Sequence, residues 1–399
     1  MKIFLLFLIF TIVFMIFKLF NTISSNFYKS IFSTFICSIL IIYIIFNPEL
    51  CLKSALDGSK LFIKSVFVSL FPFLVLINIM ISYNAVNIYS KCFGNILCKP
   101  LRLPQNCSLV LIISILCGYP LGAKYACDLY EKNLIDFKTC ERLISIASNP
   151  SPLFVIGSVG TYMLNNHSLG FILLISCYLS CFIIGIILPA SHNNPSSKHI
   201  AIDYVCENRN IGDVLNKSIN NALKTSISIG GFVIFFSVIT TIVKNNILFD
   251  IVFTKLSDIL SISQKSLEGF LLGLLEMTNG CNLVSSSNDF SILFKIMLLS
   301  FLLGFSGLSI ISQVYSIIYK FKFSINKYIK LKFIQGIISS ILTLLLYKID
   351  IIYLSSSVFN IPTKNISMFN LNNIFIFSLL VLITPFAITK FHKLLHRIS

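Results

Sequence analysis

The segment Cys117-Gly118-Tyr119-Pro120-Leu121-Gly122 decides the fold of this chain, because it ends an apolar run that is too short to cross a membrane. The run covers 108–117 and is about ten residues long, whereas a spanning helix needs about 20. Proline ends a helix, and glycine adopts backbone conformations that other residues resist. We therefore predict that the chain enters the membrane here as a short broken hairpin and does not cross it.

Helix-breaking residues end or interrupt three further apolar runs in the same way. The apolar run 267–275 ends at Glu276-Met277-Thr278-Asn279-Gly280. Two longer apolar regions are interrupted in the middle: 138–164 by Asn149-Pro150-Ser151-Pro152, and 292–319 by Gly304-Phe305-Ser306-Gly307. Both have the pattern of a membrane crossing that is broken halfway.

The interruptions occur in the same order twice. Each half of the chain has an unbroken span, then a short hairpin, then a broken span. The unbroken spans align without a gap over 71–78 and 230–237. This shared order predicts an internal repeat of two related halves.

The composition places the chain in a membrane. Of its 399 residues, 56% are hydrophobic and only 12% are charged, with a mean hydropathy of +0.89, whereas about 25% of a soluble domain is charged. The net charge of +16 comes from Lys and Arg at the ends of apolar runs, which is typical of the positive-inside bias. Nucleic-acid binding would need a basic soluble face, so we expect no nucleic-acid partner and a lipid bilayer as the environment.

Apolar length and basic residues predict the topology. The runs that are long enough to cross, or nearly so, are Ile3–Phe20, Ile31–Phe46, Leu61–Ser82, Leu169–Ala190, Ile227–Val243, Phe333–Tyr347 and Leu371–Thr389. The segment 319–332 carries five lysines, among them Lys332, and is predicted to be cytoplasmic, whereas the equivalent segment 165–168 has no Lys or Arg and is predicted to lie outside. The halves then have opposite orientation, in an all-α polytopic membrane protein with about nine crossings plus two re-entrant hairpins.

The same pattern divides the chain into five regions. These are 1–59, N-terminal membrane helices; 60–190, the first repeat; 191–224, a cytoplasmic loop; 225–322, the second repeat; and 323–399, C-terminal membrane helices with a basic tail. No small-residue cleavage site follows Ile3–Phe20, so we predict a retained helix. The N-terminus then lies outside and the C-terminus inside, and Lys53 and Lys60 lie outside, against the positive-inside bias.

Polar residues at the breaks are the candidate solute-binding groups, because a helix that stops within a membrane leaves backbone N–H and C=O groups free. Glu276 ends an apolar run, where an ionisable residue binds solute, carries a coupling proton or pairs with a backbone amide. Tyr119 either contacts a ring of the solute or anchors a tight turn, and Lys124 either meets an anionic solute or snorkels to the interface. The candidate set is Gly118, Tyr119, Pro120, Gly122, Lys124, Asn149, Ser151, Glu276, Thr278, Asn279, Gly280, Asn282, Ser306 and Gln313.

Enzyme and metal signatures are missing from the sequence. There is no GxSxG, HExxH or Walker sequence, so we do not expect an enzyme. The cysteines include no CxxC pair, and we expect Cys177 and Cys181 to pack against a neighbouring helix and His392 and His396 to lie at the interface. No metal and no cofactor is expected, and the sequence leaves self-association into a homo-oligomer open.

Several of these segments resemble one known family. Cys117–Lys124, Asp128-Leu129-Tyr130, Glu141-Arg142-Leu143, Asn149–Phe154 and Gly157–Gly160 resemble the nucleoside-recognition or gate domain, and more narrowly the YlbJ-type sporulation integral membrane proteins of endospore-forming bacteria. Glu276–Gly280 and Gly307-Leu308-Ser309 with Gln313 are similar to the second gate of that family. The resemblance covers approximately residues 60–345.

The resemblance implies a function that the residues alone do not reveal. It implies inverted gate-domain repeats in a multi-pass transporter or facilitator of a small polar or anionic solute. For the YlbJ type this solute would be dipicolinic acid, a doubly anionic pyridine, which crosses the outer forespore membrane during sporulation. Gate domains also occur in nucleoside transporters, so a nucleoside is one alternative, and a non-transporting scaffold in spore assembly is another.

Overall fold

The computed structural model describes residues 25–83, 85–189, 210–260, 264–287 and 291–348. Every regular element in these ranges is a helix, which confirms the predicted all-α class. The predicted spans Ile3–Phe20 and Leu371–Thr389, and the histidines of the basic tail, lie outside the described residues.

The helices are numbered in chain order. The α-helices are α1 (Ser25–Phe46), α2 (Pro48–Leu61), α3 (Val68–Ser82), α4 (Ala85–Cys98), α5 (Ser108–Cys117), α6 (Leu121–Glu131), α7 (Phe137–Ile146), α8 (His167–Ile187), α9 (Ile211–Lys244), α10 (Ile247–Leu260), α11 (Gln264–Leu275), α12 (Met277–Ser286), α13 (Ile292–Phe305), α14 (Gly307–Ile318) and α15 (Ile325–Lys348). Two π-helices, π1 (Phe62–Phe67) and π2 (Leu153–Met163), and two 3₁₀ turns, Gln105–Cys107 and Tyr319–Phe321, complete the set.

The chain bends sharply at Asn47. The helix axis turns by 104° between the apolar helix before Asn47 and the helix after it. Pro48 begins α2, where its missing N–H would have no helical partner in any case. The helix then continues through π1 into α3, so Lys53 and Lys60 lie on α2 and not in a link between spans. The hydropathy pattern did not predict α2, because polar residues interrupt its apolar positions.

All four predicted breaks are helix ends in the structure. α5 has the predicted bounds and ends at Gly118, whose φ is +80°, and α11 ends directly before Glu276. The first broken span consists of α7 and π2, separated by 147–152. The second consists of α13 and α14, separated by Ser306, whose φ is +72°. The helices therefore stop where the sequence places residues that oppose a continuous helix.

Helices of the first predicted repeat pack on helices that follow it in the chain. α3 contacts α9, and α8 contacts α15. The helix that follows each break contacts the helix that follows a break elsewhere in the chain: α6 packs on α14, and α12 packs on π2. This arrangement brings all four breaks close together.

Within the described ranges, four helices are long and apolar enough to cross a membrane, or five if the bent pair at Asn47 counts as one span. They include α8, α9 and α15, and the fourth runs from Ile292 to Phe321 through the break at Ser306. The predicted nine crossings thus stay a prediction. The predicted boundary between loop and second repeat, at residue 225, lies inside the continuous helix α9.

α15 has its polar residues on the buried face. Its buried residues are Tyr328, Lys332, Gln335, Gly336, Ser339 and Thr343. Its exposed residues include Phe333, Ile337 and Ile341. Lipid is as apolar as a protein core, so polar side chains of a membrane helix turn inward. Lys332, which lies in the predicted cytoplasmic basic segment, is fully buried, whereas Lys330 of the same segment is exposed.

Candidate functional site

Residues at or near the four breaks line one partly open cavity of about 120 Å³. α3 and α9 supply apolar wall residues such as Leu70 and Val233. The polar side chains that line it are Tyr119, Ser151, Ser158, Glu276, Thr278, Ser309 and Gln313. Five of them were candidate residues in the sequence, and the cavity brings together groups that are far apart along the chain.

Glu276 is a buried acid that also caps a helix. Its side chain accepts hydrogen bonds from the backbone N–H of Thr278 (3.0 Å, to Oε1) and of Asn279 (2.7 Å, to Oε2). The carboxylate therefore faces the positive end of the α12 dipole, which stabilises its charge. A carboxylate has further lone pairs beyond these two bonds, so Glu276 can cap α12 and still accept a bond from a solute in the cavity that it lines.

Tyr119 joins the first hairpin to the first broken span and to the second hairpin. Its backbone N–H donates to the carbonyl oxygen of Asn149 (2.7 Å), and its hydroxyl donates to Sδ of Met277 (2.7 Å). The ring centroid lies 5.9 Å from Nζ of Lys332. Tyr119 thus has structural contacts at its backbone, its ring and its hydroxyl, and it remains part of the cavity wall.

The broken segment between α7 and π2 has carbonyl groups that no helix satisfies, and other elements supply the donors. The Ile146 carbonyl oxygen accepts from Nδ2 of Asn149 (3.1 Å) and from the thiol of Cys181 (2.5 Å). The Ser148 carbonyl oxygen accepts from Nζ of Lys332 (2.7 Å). The Pro150 carbonyl oxygen accepts from the hydroxyl of Tyr178 (3.2 Å). With the Asn149 carbonyl bound by Tyr119, the consecutive carbonyls of Ser148, Asn149 and Pro150 each have a donor within reach, and the Tyr178 hydroxyl is shared between Pro150 and Ile115.

Lys332 and Gln335 are the main residues that sequence reasoning missed. Nζ of Lys332 donates to Oε1 of Gln335 (2.8 Å), and Nε2 of Gln335 donates to Oδ1 of Asn149 (3.1 Å). The signal was present in the spacing, since Tyr328, Lys332, Gln335 and Ser339 recur every three to four residues along an otherwise apolar helix. Such a polar stripe on a membrane helix predicts a buried face.

Close backbone contacts explain two of the candidate glycines. A Cβ on Gly122 would lie 1.7 Å from the Ala147 carbonyl oxygen, and one on Gly280 would lie 2.0 Å from Cα of Gly273. The first contact packs α6 against the segment after α7, and the second packs the two helices of the second hairpin, α11 and α12, against each other. These glycines shape the breaks, and they are not among the residues that line the cavity.

A second cavity, of about 420 Å³, lies next to the first and shares Gln313 and Ile229 with it. Its wall contains the basic residues Lys124, Lys224 and Lys320 and the acids Asp128 and Glu131, together with Pro120. Nζ of Lys124 donates to Oγ1 of Thr225 (2.6 Å). Lys124 therefore lies in this second cavity and not at the polar lining of the first.

The structure does not bring every candidate residue to the cavity. Asn282 is exposed on α12, and the Ser306 hydroxyl donates to the carbonyl of Phe305 (2.5 Å). Asn149 is buried behind the wall, where it bonds to Ile146 and Gln335. Among the described residues there is no group of three or more His, Cys, Asp or Glu that could hold a metal ion. Cys177 and Cys181, predicted to pack, are both buried.

The fold and the site define the class: an integral membrane protein in which paired broken helices line a cavity that has polar groups in its wall. Comparison with known proteins then gives a named relative. The sporulation integral membrane protein YlbJ of Bacillus subtilis (strain 168) is 28% identical over 326 residues, which cover 76% of this chain and 79% of that protein. The chain is thus similar to a YlbJ-type protein, in agreement with the resemblance of its motifs. No family model and no solved structure matches it.

Proposed function

We propose that the chain is a multi-pass membrane transporter or facilitator that passes a small polar solute between its two related halves. The observation that carries this proposal is the convergence of four helix breaks on one cavity whose wall contains polar groups among apolar ones. Broken helices at membrane depth are tolerated where they line a cavity or are buried in protein, and transporters bind solute where such breaks meet.

The two adjacent cavities suggest the route. The second cavity has three lysines and two acids in its wall, and this excess of one positive charge favours an anion over a cation. Gln313 and Ile229 line both cavities. A solute that moves from the lysines of the second cavity to Glu276 and Tyr119 in the first therefore passes Gln313 and Ile229. Hydroxyl, amide and carboxyl groups then replace part of its hydration shell.

The finer proposal is that the solute is dipicolinic acid and that it crosses the outer forespore membrane during sporulation. The YlbJ-type sequence supports the link to sporulation. The lysines of the second cavity suit a dianion, and the Tyr119 ring suits an aromatic solute. The two N–H groups that bind Glu276 reduce its repulsion of an anion. In this proposal the halves are inverted in a membrane of about nine crossings.

Two alternatives are tested in the same experiments. A nucleoside fits the ring of Tyr119 and the neutral groups Ser151, Thr278 and Gln313. A scaffold in spore assembly would have the same fold but would transport no solute.

Purified protein in liposomes, loaded separately with labelled dipicolinate and labelled nucleosides, tests these proposals directly. Dipicolinate flux that unlabelled dipicolinate inhibits would support the proposal, and nucleoside flux would select the first alternative. A deletion strain provides the cellular test. Spores that lack dipicolinic acid but regain it from the medium support transport, whereas normal spore content argues for the scaffold.

A further inference from the structure

Lys332 is a buried cation near the centre of the broken helices. Its relative exposure is 0%, and its ammonium group donates to the Ser148 carbonyl oxygen (2.7 Å) and to Oε1 of Gln335 (2.8 Å). The face of the Tyr119 ring lies 5.9 Å away. None of the ion pairs in the described ranges includes Lys332. Two oxygen atoms accept hydrogen bonds from this charge and one ring face lies near it, and no carboxylate in the described ranges pairs with it.

The surroundings of the ammonium group are those of a monovalent cation site. A carbonyl oxygen released by a broken helix and a side-chain amide oxygen are the hard ligands that such ions take. The Ser148 carbonyl lies just beyond the C-terminal end of α7, where the helix dipole attracts positive charge. An aromatic ring face adds a further attraction for a cation. In transporters with broken helices, carbonyls of this kind coordinate the coupling ion.

We propose that Lys332 is a built-in cation that occupies the position of a mobile coupling ion, an inference that rests on the proposed transport function. Its charge holds the Ser148 carbonyl and Gln335, and Gln335 in turn holds Asn149, whose carbonyl binds the backbone of Tyr119 in the cavity wall. Lys332 is thus a positioning residue for the cavity. Two consequences follow: transport needs no alkali cation, and removal of the side chain leaves a site for a small alkylammonium ion.

Flux measurements in liposomes test both consequences. Wild-type flux should be equal in sodium, potassium and N-methylglucamine buffers. Lys332→Ala should lower flux by about 10–100-fold, the loss expected for a hydrogen-bonded charge. Methylammonium or ethylammonium should restore much of this flux in a saturable way. Lys332→Met, which fills the same volume without charge, should be equally inactive and should not respond to amines.

The matched control is Lys330→Ala, because Lys330 is an exposed lysine on the same helix. It should keep wild-type flux and show no response to amines. Sodium-dependent flux of the wild-type protein would overturn the proposal. So would a folded Lys332→Ala protein that amines neither reactivate nor stabilise.

Thermal unfolding in detergent separates this inference from the transport proposal. Methylammonium should raise the unfolding temperature of Lys332→Ala, but not that of the wild type or of Lys330→Ala, because a ligand stabilises only the state that binds it. If Lys332→Ala does not fold alone, recovery of folded protein when methylammonium is present throughout purification becomes the readout. If methylammonium does not allow folded Lys332→Ala to be recovered, although Lys332→Met folds, the inference is contradicted. If methylammonium raises the unfolding temperature of Lys332→Ala but the wild-type protein shows no flux, the cation site is supported and the transport function is rejected.

Discussion

At the scale of single residues, Glu276 has two roles that a substitution can separate. The carboxylate accepts two backbone N–H groups at the start of α12, and it forms part of the cavity wall. A helix cap contributes about 0.5–2 kcal/mol to stability, whereas a solute contact contributes only to flux. Glutamine keeps the shape and one acceptor oxygen but removes the charge.

We predict that Glu276→Gln abolishes most flux while it lowers the free energy of unfolding by only about 1 kcal/mol. Flux into liposomes and thermal unfolding of the same preparation measure the two effects. Glu49→Gln is the control, since Glu49 is an exposed acid in the first turn of α2, and it should change neither quantity. Near-normal flux with a large loss of stability would show that Glu276 acts only as a cap.

Residue type and position predicted a useful part of the site. Tyr119, Ser151, Glu276, Thr278 and Gln313 all line the cavity, because polar groups at breaks in apolar runs must be buried in protein or face a wet space. Lys332 was missed, because the positive-inside rule assigns any lysine near a span end to the cytoplasm. That rule counts charges and does not follow the helical position of each one.

At the scale of elements, the breaks were predictable and the packing around them was not. Proline, glycine and polar clusters identify where α5, α11 and α13 end to within a residue, and α7 ends three residues before its predicted break. Which element satisfies the freed backbone groups depends on contacts across the whole chain. The Ser148 carbonyl, for example, binds a residue 184 positions away.

The close contact between the first hairpin and the first broken span gives a prediction for these elements. A Cβ at position 122 would lie 1.7 Å from the Ala147 carbonyl oxygen, so the backbone must move. We predict that Gly122→Ala lowers the free energy of unfolding by at least about 1–3 kcal/mol, the range for overpacking. Thermal unfolding and yield of monodisperse protein measure this change.

Gly231 provides the matched control, because it lies within α9 and nothing is within 4 Å of an added Cβ. Gly231→Ala should be neutral, or stabilising by up to about 1 kcal/mol through helix propensity. Equal stability of the two variants would mean that the hairpin does not dock as described.

At the scale of the whole molecule, the two halves support each other. α15 of the second half supplies Tyr328, Lys332 and Gln335 to the break of the first half. An ion pair between Lys327 and Glu141, 2.5 Å apart, joins the same two regions. The first half alone would therefore lack these partners at its broken span, and we expect it not to fold without α15.

The predicted inversion of the halves is testable by labelling from each side of the membrane. In a background without reactive cysteines, cysteine at exposed Asn166 and cysteine at exposed Asn326 should react with an impermeant maleimide from opposite sides. Serine should replace Cys140 and Cys181, because both thiols donate hydrogen bonds to backbone carbonyls. Reaction of both positions from the same side would reject the inverted arrangement.

The long-range bonds of the first broken span also set an order of events during synthesis. Its donors on α15 follow Ser148 and Asn149 in the chain by 180 to 186 residues. At ordinary elongation rates they emerge roughly 10–40 s later. During that interval the Ser148 carbonyl and the Asn149 side chain must find water or the insertion machinery as partners, so the nascent chain depends on help that the finished protein no longer needs.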